Sequence, residues 1–255
     1  MSSTTNKPQA IILAAGQGTR LSPLTDNMPK TLLQVNGERL LDIIMERILA
    51  VGITDIIIAT GHAADEIKTH IATVYPDADV KFVDNPIYHE TNSTYSLWLT
   101  KDIVADDFIT INADTIFNQG ILAAMLEADY DICMSIDDTM TGPLPEDNMK
   151  VTIVDGLIRD ASKVIPPELT HGDALGIYRF RGPGVAALFA KLDELVDTGV
   201  VDQLFTFAVK SIMQHTDVYP VSAHGLSWIE IDDHKDLADA APVVEAIHDE
   251  EAGAA

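Results

Sequence analysis

Continuous apolar runs that alternate with helix-spaced segments constrain the fold of this 255-residue chain more than any other feature. Ala10–Ala15, Asp55–Thr60 and Phe108–Ile111 are predicted strands of this kind, and each leads into a glycine or a polar turn. Between the first two, Leu40–Val51 repeats its apolar residues at helical spacing. Strands that are apolar on both faces and alternate with helices are typical of a covered, mainly parallel sheet. The sequence therefore predicts an α/β fold with a Rossmann-like, mainly parallel sheet and helices on both faces.

The pattern changes after Asp138, where a polar, proline-containing loop precedes three further strands. Lys150–Val154 and Leu157–Ala161 flank Asp155-Gly156, a pair that favours a two-residue hairpin turn, and Ala174–Phe180 follows. We therefore expect a small antiparallel insertion beside the main sheet. Additional strands are predicted at Val80–Val83, Ile132–Ile136, Val218–Val221 and Trp228–Ile231, and additional helices at Ala63–Val74, Thr94–Lys101, Ile121–Glu127, Val185–Val196, Gln203–Gln214 and Asp236–His248.

The chain is strongly acidic, because 40 Asp and Glu residues face 16 Lys and Arg residues and give a formal charge of −24. Such a surface repels phosphate backbones, so the composition argues against nucleic-acid binding. Salt relieves self-repulsion on this scale, since the Debye length falls to roughly 3 Å at 1 M. We therefore expect a source organism that lives at high salt, with an ordinary acidic protein as the alternative.

The sequence also predicts where the protein resides. The single Cys133 excludes an internal disulfide framework, and residues 1–9 lack the charged-then-apolar pattern of a signal peptide. No apolar run reaches the roughly 18–20 residues that a membrane helix needs. We expect a cytoplasmic protein without membrane insertion. The oligomeric state stays open, with a homo-oligomer among the expectations.

A glycine-containing loop after the first strand holds the most chemical information. Residues 13–21 are Leu-Ala-Ala-Gly-Gln-Gly-Thr-Arg-Leu, and Pro29-Lys30 follows. Tiny residues let backbone N–H groups approach a phosphate, and Arg20 and Lys30 add two cations to an acidic chain. A redox dinucleotide site would need a third glycine and a following helix, which Pro23 and Pro29 interrupt. The Gly-Lys-Ser/Thr ending of a P-loop is also absent from this loop.

These residues resemble the signature of the nucleotidyltransferases that build sugar nucleotides and CDP-alcohols. The resemblance covers about residues 9–240 and implies the nucleotide-diphospho-sugar transferase fold in a single domain, 1–255. Residues 9–138 would form the nucleotide-binding half, and residues 139–240 the half that binds the acceptor and supplies a second metal ligand. It implies that Arg20 and Lys30 are catalytic and stabilise the α-phosphate and the departing pyrophosphate. The nucleotide-binding residues that it implies are Leu13, Ala14, Ala15, Gly16, Gln17, Gly18, Thr19, Gly61, Asn92, Ser93 and Ala113.

Phosphoryl transfer of this kind needs Mg²⁺ as a cofactor, held by carboxylates and phosphate oxygens. Asp114 follows the strand Phe108–Ile111, at the edge where open parallel sheets bind ligands. Asp232 follows Trp228–Ile231, and Glu230 would point to the same face if that segment is a strand. The family resemblance supports Asp114 and Asp232 as the metal ligands, with Glu230 as a supporting candidate. Chance is the alternative, because so acidic a chain places some acids near strand ends in any case.

Asn85-Pro86 and Thr91–Leu97 point to one branch of the family. They resemble the Asn-x-x-Tyr-Ser-Leu block of bacterial-type phosphocholine cytidylyltransferases and of related phosphonate cytidylyltransferases. Asn92 and Ser93 would then contact the base or the ribose of the nucleotide. The alternative for Asn92 is a helix N-cap, and for Ser93 a residue of the first helical turn.

Three later segments resemble the Met-Lys-Val, Ser-Lys and Gly-Glu-x-x-Gly-Ile run of the same branch: Asn148–Val151, Ala161–Lys163 and His171–Ile177. Lys163 falls where sugar-nucleotide enzymes place the lysine that binds the acceptor phosphate, and Lys150 is a second candidate. A solvated surface lysine is the alternative for either. In the last segment an aspartate replaces the usual glutamate. The predicted acceptor-binding residues are Lys163, Lys150, Asp173 and Glu230.

The predicted activity is the transfer of a nucleotidyl group from an NTP, with CTP favoured, to a phosphorylated or phosphonylated alcohol such as phosphocholine. Pyrophosphate would be released. The same chemistry on a sugar-1-phosphate or inositol-1-phosphate with UTP, dTTP or CTP is the nearest alternative. A non-catalytic nucleotide-binding subunit is a further alternative, but we would expect it to have lost Lys30 or Asp114, and both are present.

Overall fold

The computed structural model describes residues 7–254 of the chain. In chain order its strands and helices are β1 (Gln9–Ala14), β2 (Gln34–Val35), β3 (Glu38–Arg39), α1 (Leu40–Ala50), β4 (Asp55–Thr60), α2 (Ala64–Val74), β5 (Asp79–Asp84), α3 (Ser93–Trp98), β6 (Asp107–Asn112), β7 (Thr115–Phe117), α4 (Gln119–Glu127), β8 (Ile132–Asp137), β9 (Lys150–Val154), β10 (Leu157–Ser162), β11 (Gly172–Arg181), α5 (Pro183–Asp197), α6 (Phe205–Ile212), β12 (Tyr219–Ser222), β13 (Trp228–Glu230) and α7 (His234–Ala254).

A nine-stranded sheet forms the centre of the described part of the chain. Its path is β10-β9-β11-β6-β1-β4-β5, while β8 pairs with β11 and β12 pairs with β8. β1 lies between β4 and β6 in parallel register, with Ala14 opposite Thr60 and Leu13 opposite Asn112. This arrangement confirms the predicted α/β fold. It also brings the carboxyl ends of β1, β4 and β6 to one edge of the sheet.

Helices cover both faces of this sheet because the strand side chains point alternately to either side. Ala10 and Ile12 of β1 pack into one apolar cluster with α1, α2 and α4, whereas Ile11 packs into another with α3, α5 and α6. All three side chains are fully buried. The apolar run of β1 is continuous because neither of its faces meets water. No helix within residues 7–254 is both long enough and apolar enough to cross a membrane.

The antiparallel strands continue the main sheet instead of forming a unit beside it. β11 is ten residues long and pairs antiparallel with β6, β8 and β9. The predicted hairpin turn between β9 and β10 is present, since Asp155 and Gly156 have φ values of 54° and 76°. Residues from both halves of the chain therefore reach the same edge of one sheet.

A small second sheet lies next to this edge and is absent from the sequence-based prediction. Here β7 pairs antiparallel with β13, with Thr115 opposite Glu230. Ile116 and Ile231 are buried beneath it in a third apolar cluster that α7 and α1 complete. The Ile231 N–H donates to the carbonyl of Asp114 at 2.9 Å. The pairing thus brings the acidic residues of the two segments together.

Candidate active site

A cleft of about 430 Å³ opens where β1 and β6 end. Open parallel sheets bind ligands at this edge, because the loops that follow neighbouring strands diverge there. The walls come from the glycine loop, from residues 85–96, from β11 and from the segment after β13. Its charged side chains are those of Arg20, Asp114, Asp147, Lys163, Glu230 and Asp232.

The glycine loop turns sharply at Gly18. Its φ of 63° lies in the left-handed region, which glycine adopts without strain. A Cβ atom at this position would also lie 3.1 Å from the Lys30 Cβ and 3.2 Å from the Thr25 Cγ2, so the backbone is closely packed. The predicted nucleotide-binding residues of this loop that line the cleft are Leu13, Ala15, Gly16, Gln17, Gly18 and Thr19.

Ala14, Gly61 and Ala113 lie behind the cleft wall and not in its lining. A Cβ atom on Gly61 would lie 2.6 Å from the carbonyl oxygen of Ala15, so only glycine fits there. The Ala113 N–H donates to the Leu13 carbonyl at 3.3 Å. All three lie next to lining residues of the cleft, and their contact with the nucleotide stays a prediction.

The two predicted catalytic cations meet at one carboxylate. Lys30 Nζ donates to Asp114 Oδ2 at 2.9 Å and to Asp232 Oδ1 at 3.0 Å. Arg20 Nη2 lies 2.7 Å from Asp232 Oδ2. Burial alone would lower the pKa of Lys30, but the two carboxylates outweigh burial and raise it. Lys30 therefore carries a full positive charge at neutral pH, close to where the glycine loop opens.

Asp114, Glu230 and Asp232 bring three carboxylates together, with one oxygen of each within 4.8 Å of the others. Burial, followed by the charges of Asp114 and Asp232, raises the pKa of Glu230 to about 8. Burial also acts to raise the pKa of Asp232, but Lys30 and Arg20 outweigh it and lower that pKa. Carboxylates this close repel one another unless a cation or a proton neutralises them.

The three carboxylates fit a divalent cation. Oδ1 of Asp114 is buried without a hydrogen-bond partner, and an unpartnered buried oxygen of this kind is costly. Mg²⁺ prefers oxygen ligands and is usually held by one or two carboxylates together with substrate phosphates. The donor set thus matches the predicted cofactor. Asp114 and Asp232 are the predicted ligands, and Glu230 places a third oxygen beside them.

Asn92 and Ser93 also line the cleft. Asn92 is the N-cap of α3, because its Oδ1 accepts the Ser93 N–H at 2.8 Å. Ser93 Oγ accepts the N–H of Phe205 at 2.9 Å and so joins α3 to the start of α6. The helix-cap alternative is therefore present in the structure, while both side chains remain at the cleft.

The predicted acceptor-binding residues separate into two groups. Lys163 and Glu230 line the cleft. Lys150 is buried and donates to three backbone carbonyls, among them that of Lys163 at 2.9 Å. Asp173 is also buried and accepts a hydrogen bond from the side chain of Asn148. Lys150 and Asp173 do not line the cleft and bond to residues around it, so their contact with the acceptor stays a prediction.

Several cleft residues were not singled out from the sequence as site residues, and Asn85, Asn112 and Asp147 are three of them. Asn85 is buried and donates to two hydroxyl groups of the wall, at 2.9 and 3.0 Å. Asn112 ends β6 and packs against Gly176, and the Asn-Ala-Asp pattern could have indicated it. Asp147 lies 3.7 Å from Arg20. No local pattern indicates Asp147, because its contact depends on how the two halves fold together.

Residues 9–137 match the family model described as nucleotidyl transferase. The chain belongs to this family. Among its relatives is a choline-phosphate cytidylyltransferase of Streptococcus pneumoniae, which is 31% identical over 89% of this chain and 94% of its own length. Another is a CTP:phosphoglutamine cytidylyltransferase of Campylobacter jejuni, 25% identical over 89% of this chain and 97% of its own length.

A solved structure agrees with this membership at the level of the fold. The inositol-1-phosphate CTP transferase of T. maritima superposes with a TM-score of 0.82 at 18% identity, over 95% of this chain and 96% of its own. This structural similarity confirms the nucleotide-diphospho-sugar transferase fold that the sequence resemblance implied. As a member of the nucleotidyl transferase family, with relatives that act on phosphorylated compounds, the chain is a nucleotidyltransferase.

Proposed function

We propose that this nucleotidyltransferase uses CTP and Mg²⁺ to convert a phosphorylated or phosphonylated alcohol into its CDP or CMP derivative. Two relatives that align over most of their length are named as cytidylyltransferases, one for choline phosphate and one for phosphoglutamine. Their names support the cytidylyltransferase branch. The block at residues 91–97 and the cleft position of Asn92 and Ser93 support the same branch.

One observation carries the proposal. The two cations on or after the glycine loop, Lys30 and Arg20, converge on Asp232 beside Asp114, at the mouth of a loop built to approach phosphates. Lys163 stands in another wall of the same cleft, which suits a second phosphate-bearing substrate. A cleft with two separate cationic positions and an acidic cluster is suited to joining two anionic molecules.

The chain's own residues account for most of the chemistry. The N–H groups of residues 16–18 would bind the triphosphate, and Lys163 would orient the acceptor phosphate. An oxygen of the acceptor phosphate attacks the α-phosphorus in line and forms the new P–O bond. The bond from the α-phosphorus to the bridging oxygen of the β-phosphate breaks, and pyrophosphate leaves. Lys30 and Arg20 stabilise the negative charge that grows on these oxygens.

Asp114 and Asp232, with Glu230 beside them, are the residues that would hold the magnesium ion. When bound, it supplies positive charge to the phosphate oxygens of the nucleotide. No covalent enzyme intermediate is needed, because the acceptor is already an anionic nucleophile.

A panel of pyrophosphate-release assays tests this proposal. CTP, UTP, dTTP, ATP and GTP are each combined with phosphocholine, 2-aminoethylphosphonate, inositol-1-phosphate and glucose-1-phosphate, in MgCl₂ and high KCl. The Lys30→Ala variant gives the background. Acceptor-dependent release with CTP and phosphocholine or the phosphonate supports the proposal. Release with UTP or dTTP and glucose-1-phosphate would move the chain to the sugar branch with the chemistry unchanged. Nucleotide binding without release from any pair, by folded protein, would contradict it.

A further inference from the structure

The glycine loop is fixed at both ends by one residue outside it, His62. At the start of the loop, the backbone N–H of His62 donates to the carbonyl of Ala15 at 3.2 Å. Its imidazole Nε2 lies 2.9 Å from the carbonyl oxygen of Thr25. His62 directly follows Gly61, whose close approach to Ala15 leaves no room for a side chain.

Thr25 continues this connection to the other end of the loop. Its Oγ1 donates to the carbonyl of Gly18 at 2.8 Å. Thr25 is only 3% exposed, so neither its hydroxyl nor its carbonyl has free access to water as an alternative partner. Gly18 is the residue of the loop with the left-handed backbone. The series of hydrogen bonds therefore runs from His62 through Thr25 to Gly18. It ends at the turn that orients the N–H groups of the loop.

The chemistry of the groups decides which one donates and which one accepts in this series of hydrogen bonds. A carbonyl oxygen can only accept, so Nε2 of His62 must carry the proton that it donates to Thr25. A glutamine side chain places an amide nitrogen the same number of bonds from Cβ as Nε2 of histidine. Glutamine can therefore make the same donation, whereas alanine cannot. Neither His62 nor Thr25 lines the cleft, so any effect on the nucleotide passes through the loop.

We infer that His62 is a positioning residue for the phosphate-binding loop, which it holds at Ala15 directly and at Gly18 through Thr25. The inference about the loop stands on the ligand-free geometry, and its consequence for CTP rests on the proposed function. His62→Ala leaves the Thr25 carbonyl without its donor, and the loop loses the constraint at Gly18. Thr25→Val removes the next bond in the chain and should have the same effect.

Amide hydrogen exchange of the ligand-free protein tests the positioning role alone. We expect exchange at Leu21 and Ser22, whose N–H groups donate to the carbonyls of Gly18 and Thr19, to speed up by about tenfold in His62→Ala and Thr25→Val, with exchange in β13 unchanged. His62→Gln should restore slow exchange. The matched control is His215→Ala, which removes an exposed histidine three residues after α6. Slow exchange at Leu21 and Ser22 in His62→Ala, or fast exchange there in His62→Gln, would overturn the inference.

Calorimetric titration with CTP in MgCl₂ tests the consequence for the nucleotide. If the wild type binds CTP, His62→Ala should raise the Kd by about tenfold and His62→Gln by less than about twofold. The double variant His62→Ala/Thr25→Val should bind CTP no more weakly than either single variant, because both substitutions break the same series of hydrogen bonds. Additive losses would overturn the inference. If the wild type binds no CTP, the proposed function fails, while hydrogen exchange still decides the role of His62.

Discussion

Lys30 lies between the glycine loop and the acidic residues Asp114 and Asp232. Its ammonium is only slightly exposed and touches both predicted metal ligands, Asp114 and Asp232. In the ligand-free protein it therefore neutralises the carboxylates. In the proposed reaction, the same charge would lie near the triphosphate. One lysine thus links the two parts of the site.

Replacing Lys30 by alanine should slow turnover without loss of the fold. We expect the barrier to rise by about 3–4 kcal/mol, a fall in kcat of roughly 10²–10³-fold, because a donor to the developing charge is lost. The measurement is steady-state pyrophosphate release at saturating CTP and Mg²⁺. Lys235→Ala, which removes an exposed lysine paired only on the surface, is the control. Equal rates for Lys30→Ala and the control would contradict the catalytic role.

Asp114→Asn should raise the Mg²⁺ concentration for half-maximal turnover by roughly tenfold or more, because an amide oxygen is a weaker ligand than a carboxylate. The free energy of unfolding should change by less than about 1 kcal/mol, since asparagine keeps the shape of the side chain. Asp249→Asn, at an exposed position, serves as the control. Chelation by EDTA should abolish wild-type turnover, and added Mg²⁺ should restore it. Wild-type turnover that persists in EDTA would contradict the metal requirement.

Asp173 gives a pH-dependent contribution to stability. Burial is the main cause that raises its pKa to about 6, against an ordinary value near 4 in the unfolded chain. The folded state then holds the proton more tightly, so stability falls as pH rises from about 4 to about 6, by roughly 3 kcal/mol. Asp173→Asn should remove this fall. Urea unfolding at several pH values, compared between wild type and variant, isolates the effect. Identical pH profiles for the two proteins would be inconsistent with a raised pKa.

At the scale of elements, the last helix holds the strand that carries the acidic cluster. Glu250 of α7 accepts hydrogen bonds from Ser227 Oγ at 2.6 Å and the Ser227 N–H at 3.1 Å, at the start of β13. It also accepts one from Asn118 Nδ2 at 2.9 Å, at the N-terminus of α4. Glu251 pairs with Arg47 of α1 at 3.1 Å. The end of α7 thus connects three elements.

Glu250→Ala should lower the free energy of unfolding by about 1–3 kcal/mol, because it leaves two donors of Ser227 and one of Asn118 without their charged acceptor. Chemical unfolding at high KCl measures the change. Glu245→Ala, at an exposed position one turn earlier on the same helix, is the matched control. A loss in Glu250→Ala no larger than that of the control would show that these bonds add nothing.

The local sequence predicts some elements well and others poorly, for physical reasons. β1 and β4 are buried on both faces, so their apolar runs mark them clearly. β7 has three residues, too few for any period to appear, and it exists because it pairs with β13. The sequence predicts β13 itself, at Trp228–Ile231, but not this pairing. α7 runs past the predicted end at His248 to Ala254, because Glu250 and Glu251 find partners on distant elements.

The same distinction holds within the site. Gly18, Lys30 and Asp114 could be selected as candidates because the signals for them are local: a turn after a strand, a cation after a loop, an acid at a strand end. The contacts of Lys150 could not be predicted, because the carbonyl of Lys163 reaches it only when β9 and β10 pair, although its other two partners, Glu146 and Asn148, lie within four residues of it. Local spacing identifies residues that belong to one loop. Contacts between different loops can be predicted only when the fold is known.

At the scale of the whole molecule, the charge of −24 should make stability depend on salt. We expect the Tm to rise as KCl increases from about 0.1 M to about 2 M, and then to level off as the repulsion becomes screened. Thermal unfolding in KCl and in choline chloride at equal ionic strength measures this. Similar curves in the two salts are expected from screening. A Tm that is flat or falls with salt would contradict both the repulsion and the expected high-salt origin.

Nucleotidyl transfer at the α-phosphorus is the central claim, and one labelling experiment tests it most directly. The enzyme is incubated with CTP radiolabelled at the α-phosphorus, MgCl₂ and the acceptor that gives the fastest pyrophosphate release. We predict that the label moves into an acceptor-linked product at a rate that Lys30→Ala lowers roughly 10²–10³-fold. Label that stays in CTP, or that appears as CMP at the same rate without acceptor, would contradict the account.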